Sequence, residues 1–268
     1  MERTIFITGA SSGLGKATAK LFQSKGWQVI ATMRNPELEK ELSQLKNVTL
    51  LPLDVTRVEQ ITGTVAKAIT SHNIDVVFNN AGYGLMGAME ALTEEQIERQ
   101  INTNLMGVLW VTKAFIPYFK ERKQGLFIST TSMGGLLAFP LHSIYHATKF
   151  AIEGWSESMS FELGLHNIGI KTIAPGAIAT DFTGRSLATA KHSSYQALEE
   201  KLFFNVDAMM AQASSAEQIA AVVYEAATDG KDQVRYVAGP DANAIYDRRL
   251  SIGSEAFRKE IKSQFINE

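Results

Sequence analysis

No cysteine occurs among the 268 residues. That excludes disulfides, thiol nucleophiles, cysteine-ligated zinc and iron–sulfur clusters together, and it fits a reducing compartment. No excess of either charge is present: 26 Lys and Arg face 28 Asp and Glu, for a net charge of −2. Nothing in that balance argues for nucleic acid or an anionic membrane as partner. No apolar run approaches the roughly 18 residues of a spanning helix. The opening stretch MERTIFITGASSG runs straight into glycines and has no signal-peptide layout, so the expected location is cytoplasmic. There is also no linker, internal repeat or low-complexity segment. One domain over 1–268 is expected, with ample chain for a core.

What is present is an alternation of β-branched apolar runs with amphipathic segments. Strands are predicted over 4–9, 27–32, within 47–55, and over 75–82, 125–130, 169–176 and 233–239. Helices are predicted over 14–25, 57–72, 93–122 and 145–166, the third opening on the capping box Thr93–Gln96. Continuous apolar strands separated by helices indicate a parallel sheet covered on both faces. The expected fold is therefore α/β: a Rossmann-type doubly wound, seven-stranded parallel sheet, with ligands beyond the carboxyl ends of the strands. Residues 179–212 break the rhythm just after a strand end, which suggests a substrate lid. A charged tail follows from about residue 240.

The loop TGASSGLGK (8–16) admits three readings. A P-loop needs glycine where Ala10 stands and Ser or Thr where Ala17 stands. Gly9-Ala10-Ser11-Ser12-Gly13 matches a hydrolase nucleophile elbow, and histidines follow at 142, 146, 166 and 192. An elbow also needs an earlier strand and loop for its oxyanion hole, whereas this loop follows the first predicted strand. Glycines at 9, 13 and 15 suit a dinucleotide, with backbone N–H groups and a helix N-terminus turned to a pyrophosphate. Ser11 and Ser12 can add hydroxyl contacts. Glycine spacing alone would equally suit a strand–helix turn without a ligand, so other residues must decide.

Tyr145-His146-Ala147-Thr148-Lys149 is Y-x-x-x-K, which puts both functional side chains on one helix face. Ser132 closes the fifth strand. Asn79-Asn80-Ala81-Gly82 ends the fourth, Asn104 lies within a helix, and Pro175-Gly176 ends the sixth. In this order and spacing the set closely resembles the short-chain dehydrogenase/reductase family, in its compact single-domain branch, from Thr4 to about Val237.

The resemblance implies an oxidoreductase acting on CH–OH groups. Tyr145 would be the acid for carbonyl reduction and the base for alcohol oxidation. Lys149 would lower the tyrosine pKa and hold the ribose, and Ser132 would bond the substrate oxygen. Asn104 would interrupt its helix and hold a water linking Lys149 to solvent. Gly9, Ser11, Ser12, Gly13, Leu14 and Gly15 would cradle the pyrophosphate. Asn80, Ala81 and Gly82 would run beside the adenosine, and Asp54 and Val55 would flank the adenine, although Asp54 could also cap the next helix. Pro175, Gly176 and Ile178 would pack on the nicotinamide, and Thr180 would bond its carboxamide.

The second strand ends in Met33-Arg34 with no acid to bond a ribose 2′-OH. An arginine there grips a 2′-phosphate instead, so NADP(H) is the expected cofactor. Substrate contacts are expected from Ser132, Met133, His142, Tyr145 and Phe182. The apolar neighbours Leu136, Leu137, Phe139, Leu141, Leu187 and Leu202 favour a hydrophobic ketone, aldehyde or secondary alcohol. Stretches such as NNAGYG resemble the hydroxysteroid and retinol dehydrogenase branches. NADPH-dependent carbonyl reduction is the leading expectation. NADP-dependent alcohol oxidation is the rival direction, and a non-catalytic NADP sensor on the same fold is a third reading. His142 and His146 have metal-site spacing but no third ligand, so no metal is expected. The resemblance further implies a homodimer or homotetramer built from the helices at about 104–122 and 145–166.

Overall fold

The computed structural model describes residues 2–179, 187–210 and 213–266, apart from the side chains of 203–209. The expected lid overlaps the remainder, and the expected contacts Thr180 and Phe182 lie outside the described residues.

The chain runs β1 (Thr4–Thr8), α1 (Gly13–Ser24), β2 (Gln28–Met33), β3 (Val48–Pro52), α2 (Val58–Ser71), β4 (Val76–Asn79) and β5 (Gly84–Met86). It continues through α3 (Glu94–Ile101), a π-helical stretch (Asn102–Met106), α4 (Gly107–Arg122), β6 (Gly125–Thr130), α5 (Ser143–Gly164) and β7 (Ile168–Pro175). After β8 (Ile178–Ala179) come β9 (Leu187–Thr189), α6 (Gln196–Met210), β10 (Ser214–Ser215), α7 (Ala216–Thr228), β11 (Arg235–Ala238), α8 (Pro240–Ile252) and α9 (Ser254–Phe265).

Seven of these strands form one parallel sheet in the order β11-β7-β6-β4-β1-β2-β3. The order reverses between β1 and β4, which opens a crevice at their carboxyl ends. Alternation along β1 explains the layers. Ile5 and Ile7 point to one face, where α1 and α7 supply Leu14, Phe22, Ile219 and Val223. Phe6 points to the other, against Val65 of α2, Phe115 and Phe119 of α4 and Leu163 of α5. Both faces are covered, so the strands read as unbroken apolar runs.

A third apolar cluster lies off the sheet. Met86, Leu137, Leu202, Phe257, Ile261 and Phe265 pack together, with Phe139, Leu141 and Leu187 against them. The tail from residue 240 thus folds back as two helices and walls in the segment after Ser132. The described residues of the excursion from 179 include regular structure, β9 and α6. β9 pairs in parallel with β5, and β10 pairs with β8.

Candidate active site

The glycine loop is built around close approach. Gly9 has φ +68°, and a Cβ there would stand 2.8 Å from the Ala81 Cα on the loop after β4. The Thr8 hydroxyl accepts the Asn80 and Ala81 amides at 3.0 and 3.1 Å. The Asn80 carboxamide donates to the Thr8 and Gly9 carbonyls at 3.2 Å each. The Asn80 side chain therefore shapes the crevice from beneath.

Helix α1 starts at Gly13 with no side-chain cap from Ser12 and no acidic residue in its first turn. By contrast α3 and α7 carry full capping boxes. Uncapped N–H groups and the helix dipole make this end of α1 an anion cradle. Leu14 is buried in the core, so only its backbone faces that cradle. Lys16 is turned away, held by Glu39 at 3.1 Å and Glu41 at 2.9 Å, so it does not act as a P-loop lysine.

A cavity of about 450 Å³ opens beyond the ends of β2 and β3, lined by Arg34, Asn35, Asp54, Arg57 and Gln60. Burial would raise the Asp54 pKa. Hydrogen bonds from Thr56 and the charges of Arg34 and Arg57 outweigh that and hold it low. Asp54 is not the cap of α2: its carboxylate takes the Thr56 amide and hydroxyl at 3.0 and 2.7 Å, and Arg57 occupies the cap position. Val55 is buried and packs where α4 begins at Gly107, not on the cavity. Arg57 was not singled out from sequence. The available signal was a cation on the turn after Asp54, which becomes legible only once β2 and β3 are known to be neighbours.

The reactive cluster draws on β6 and α5. Ser132 follows β6 in extended conformation, and its Oγ accepts the Gly134 amide at 3.0 Å. Its own hydroxyl proton is therefore available to another acceptor. Tyr145 and Lys149 rise from α5 one turn apart, with the ammonium 5.8 Å from the tyrosine ring centre. The Lys149 ammonium donates to the Thr130 carbonyl at 2.9 Å. Burial pulls the Lys149 pKa down to about 8, against the upward pull of Glu153. Burial pushes the Tyr145 phenol up, offset in part by a hydrogen bond with Ser132.

Asn104 sits inside the π-helical stretch that divides the expected 93–122 helix, fully buried. Its carbonyl oxygen accepts the Tyr83 amide at 3.0 Å and its amide donates to the Tyr83 carbonyl at 2.8 Å. The side chain is thereby committed to the Tyr83 backbone.

His146 locks the turn after Ser132. Its Nδ1 lies 2.7 Å from the Gly134 carbonyl, and its Nε2 accepts the Phe139 amide at 2.9 Å. Both nitrogens are in use, with the proton on Nδ1. Burial lowers its pKa to about 4 from 6.5. The folded state thus binds the proton more weakly than the unfolded state. Stability from this group is complete above pH 6.5 and declines as pH falls from 6.5 toward 4. The expected loss is about 3 kcal/mol at most. Denaturant unfolding from pH 7 to 4 checks this, since the pH slope over that range should flatten in His146→Gln. His142 is half-buried beside Tyr145, with ring centres 6.4 Å apart, and its Nδ1 meets the Pro140 carbonyl at 2.8 Å.

Pro175 and Gly176 end β7 at the same edge, where the Asp241 carboxylate takes the Ala177 amide at 2.7 Å. Ile178 is half-buried against the α1–α7 core, and Met133 is buried beside Ser132. The structure thus gathers the glycine loop, Arg34, Asp54, Ala81, Gly82, Ser132, Tyr145, Lys149 and the Pro175 turn along one sheet edge.

Residues 3–191 match the family model for short chain dehydrogenases, and the chain belongs to that family of oxidoreductases. An uncharacterized oxidoreductase of Schizosaccharomyces pombe is 40% identical over 208 residues, covering 77% of this chain and 88% of the relative. A 3-ketodihydrosphingosine reductase of Bacteroides thetaiotaomicron is 38% identical over 67% of this chain and 65% of its own length. Among solved structures, a short-chain dehydrogenase from Streptomyces avermitilis superposes with a TM-score of 0.86 at 29% identity, covering 99% of this chain and 98% of the other. ElxO with NADP bound gives a TM-score of 0.77 at 25% identity over 91% of this chain and 100% of the other.

Proposed function

We propose that the protein is an NADPH-dependent carbonyl reductase for hydrophobic ketones and aldehydes, reversible toward the alcohol. The observation that carries this reading is that Ser132, Tyr145 and Lys149 lie along the same carboxyl-end edge of the sheet as an uncapped helix N-terminus and a cavity lined by two arginines. The α1 cradle with Ser11, Ser12 and Gly13 would hold the pyrophosphate, and Arg34 with Arg57 the 2′-phosphate. NADP bound in the related ElxO supports the same choice. Ala81 and Gly82 would line the adenosine side, and Pro175, Gly176, Ile178 and Thr180 the nicotinamide side.

When bound, NADPH supplies the hydride that reduces a carbonyl carbon. The chain's own residues do the rest. The Ser132 hydroxyl donates to the substrate oxygen and stabilises the charge that gathers there. Tyr145 gives its phenolic proton to that oxygen as a general acid. Lys149 steadies the phenolate that remains, and its ammonium is the first group through which the proton is replaced. His142 and Met133 would flank the substrate. The apolar cluster of Met86, Leu137, Phe139 and Phe257 supports an apolar substrate, as does a relative named for reducing a keto group. Among the described residues no helix is long and apolar enough to cross a membrane.

The test is consumption of NADPH and NADH against a panel of aryl ketones, aldehydes and steroid ketones. NADPH turnover with apolar carbonyls is expected. No turnover across the panel, or a clear preference for NADH, would overturn the reading. The proposal extends to a homodimer or homotetramer through α4 and α5. Phe161 and Leu165 stand 75% and 84% exposed on and just after α5, and analytical ultracentrifugation showing only monomer would remove that part.

A further inference from the structure

Glu153 is only 3% exposed and has no part in the chemistry above. A buried carboxylate is costly unless it is paired and hydrogen-bonded. Its partners come from several elements. The Thr131 hydroxyl reaches Oε1 at 2.5 Å, the Thr172 hydroxyl of β7 reaches Oε2 at 3.2 Å, and the Arg235 Nε of β11 reaches Oε2 at 2.7 Å. Thr131 immediately precedes Ser132. Glu153 itself stands one helical turn beyond Lys149, as Lys149 stands one turn beyond Tyr145. At Gly135, just past Ser132, a Cβ would meet the Lys149 carbonyl oxygen at 2.9 Å and the Glu153 Cγ at 3.2 Å. One carboxylate therefore joins the strand end that carries Ser132 to the helix that carries the tyrosine and lysine.

We propose that Glu153 is a positioning residue that keeps Lys149 charged, and that Arg235 moderates it from the far side. Along Tyr145, Lys149, Glu153 and Arg235 the charges alternate, so each neighbour acts on the next. This rests on the reading that Tyr145 and Lys149 carry the reaction. The groups facing Lys149 are Tyr145 and Glu153 on its own helix, the Thr130 carbonyl, and Asn104 across Gly82. Those facing Glu153 are Thr131, Thr172 and Arg235, and Arg235 in turn meets Glu157 at 3.9 Å and Tyr246 of α8. Burial pulls the Lys149 pKa down and the Glu153 charge pulls it back up, which agrees with the geometry.

The two partners have opposite signs, so removing them moves Lys149 in opposite directions. Removing the carboxylate makes Lys149 lose its proton at lower pH. Removing the guanidinium frees the carboxylate to hold that proton to higher pH. A salt bridge that merely fastened β11 to α5 would give no such reversal.

The experiment follows the Lys149 Cε resonance by NMR across pH, in protein carrying isotope-labelled lysine, with assignment by Lys149→Arg. Glu153→Gln is expected to lower the Lys149 midpoint by on the order of one pH unit. Arg235→Gln is expected to raise it. An unmoved midpoint in a folded Glu153→Gln protein, or shifts of the same sign in both variants, overturns the proposal. If Glu153→Gln does not fold, Arg235→Gln decides alone: an upward shift supports the proposal and any other result overturns it. The readout needs no substrate. Absent turnover in the wild-type protein would sink the carbonyl reductase reading and still leave this question answered.

Discussion

Tyr145→Phe should lower kcat for carbonyl reduction by roughly 10²–10⁴-fold, the usual worth of a positioned general acid. At the midpoint that is about 4 kcal/mol of transition-state stabilisation. Phenylalanine keeps the ring and loses only the hydroxyl, so the packing of α5 on the Ser132 turn is preserved. Ser132 still polarises the carbonyl, which leaves a residual rate above the uncatalysed reaction. The Lys149–Thr130 hydrogen bond is independent of the phenol, so coenzyme affinity should stay near the wild-type value. Single-turnover NADPH oxidation, with coenzyme binding measured beside it, separates these effects. A variant that keeps more than about a tenth of the wild-type rate would remove Tyr145 from the role of acid.

The second large effect concerns the phosphate end of the coenzyme. Arg34→Ala combined with Arg57→Ala should weaken NADPH binding by about 10²-fold, because charge-assisted bonds of about 1.5–3 kcal/mol to a 2′-phosphate are lost. NADH has no such phosphate and should bind the double variant as it binds the wild type. The single Arg34→Ala change should have a smaller effect, because Arg57 faces the same cavity. Titrations of both coenzymes against all three variants test this. Equal loss for NADPH and NADH would show that the arginines do not read the phosphate. The discrimination should also shrink as salt is raised.

The sheet was legible in the sequence because both of its faces are buried. Each strand is an apolar run bounded by turn residues, and β1, expected over 4–9, spans Thr4–Thr8. Tyr145 and Lys149 were legible because their relation is local, one turn along a helix. Ser132 was legible only through the resemblance to a family, since nothing near it in sequence points toward α5.

What could not be read depends on distant neighbours. The apolar pattern of 93–122 alone shows no break, and only the resemblance implied one at Asn104; the Tyr83 backbone that draws in its side chain, where the helix takes up an extra residue, lies outside that pattern. Arg57 gains meaning from the adjacency of β2 and β3. Glu153 reads as an ordinary polar position in an amphipathic helix until β7 and β11 bring Thr172 and Arg235 to it. The pairing of β9 with β5 joins segments about a hundred residues apart, with only three ladder partners to announce it.

The small ribbon of β8 and β10 has a consequence for design. The chain leaves the sheet edge at Ala179 and returns at Ser214, and these departure and return points are hydrogen-bonded neighbours. They act as a gatepost pair: whatever is strung between them begins and ends at the same place beside the Pro175 turn. Between the posts the described chain remains tied to the rest of the molecule: β9 pairs with β5, and Leu187 and Leu202 pack with Leu137, just past Ser132. A redesign between the two posts would therefore have to keep the β9–β5 ladder and the apolar side chains at 187 and 202, because these reach the turn that follows Ser132.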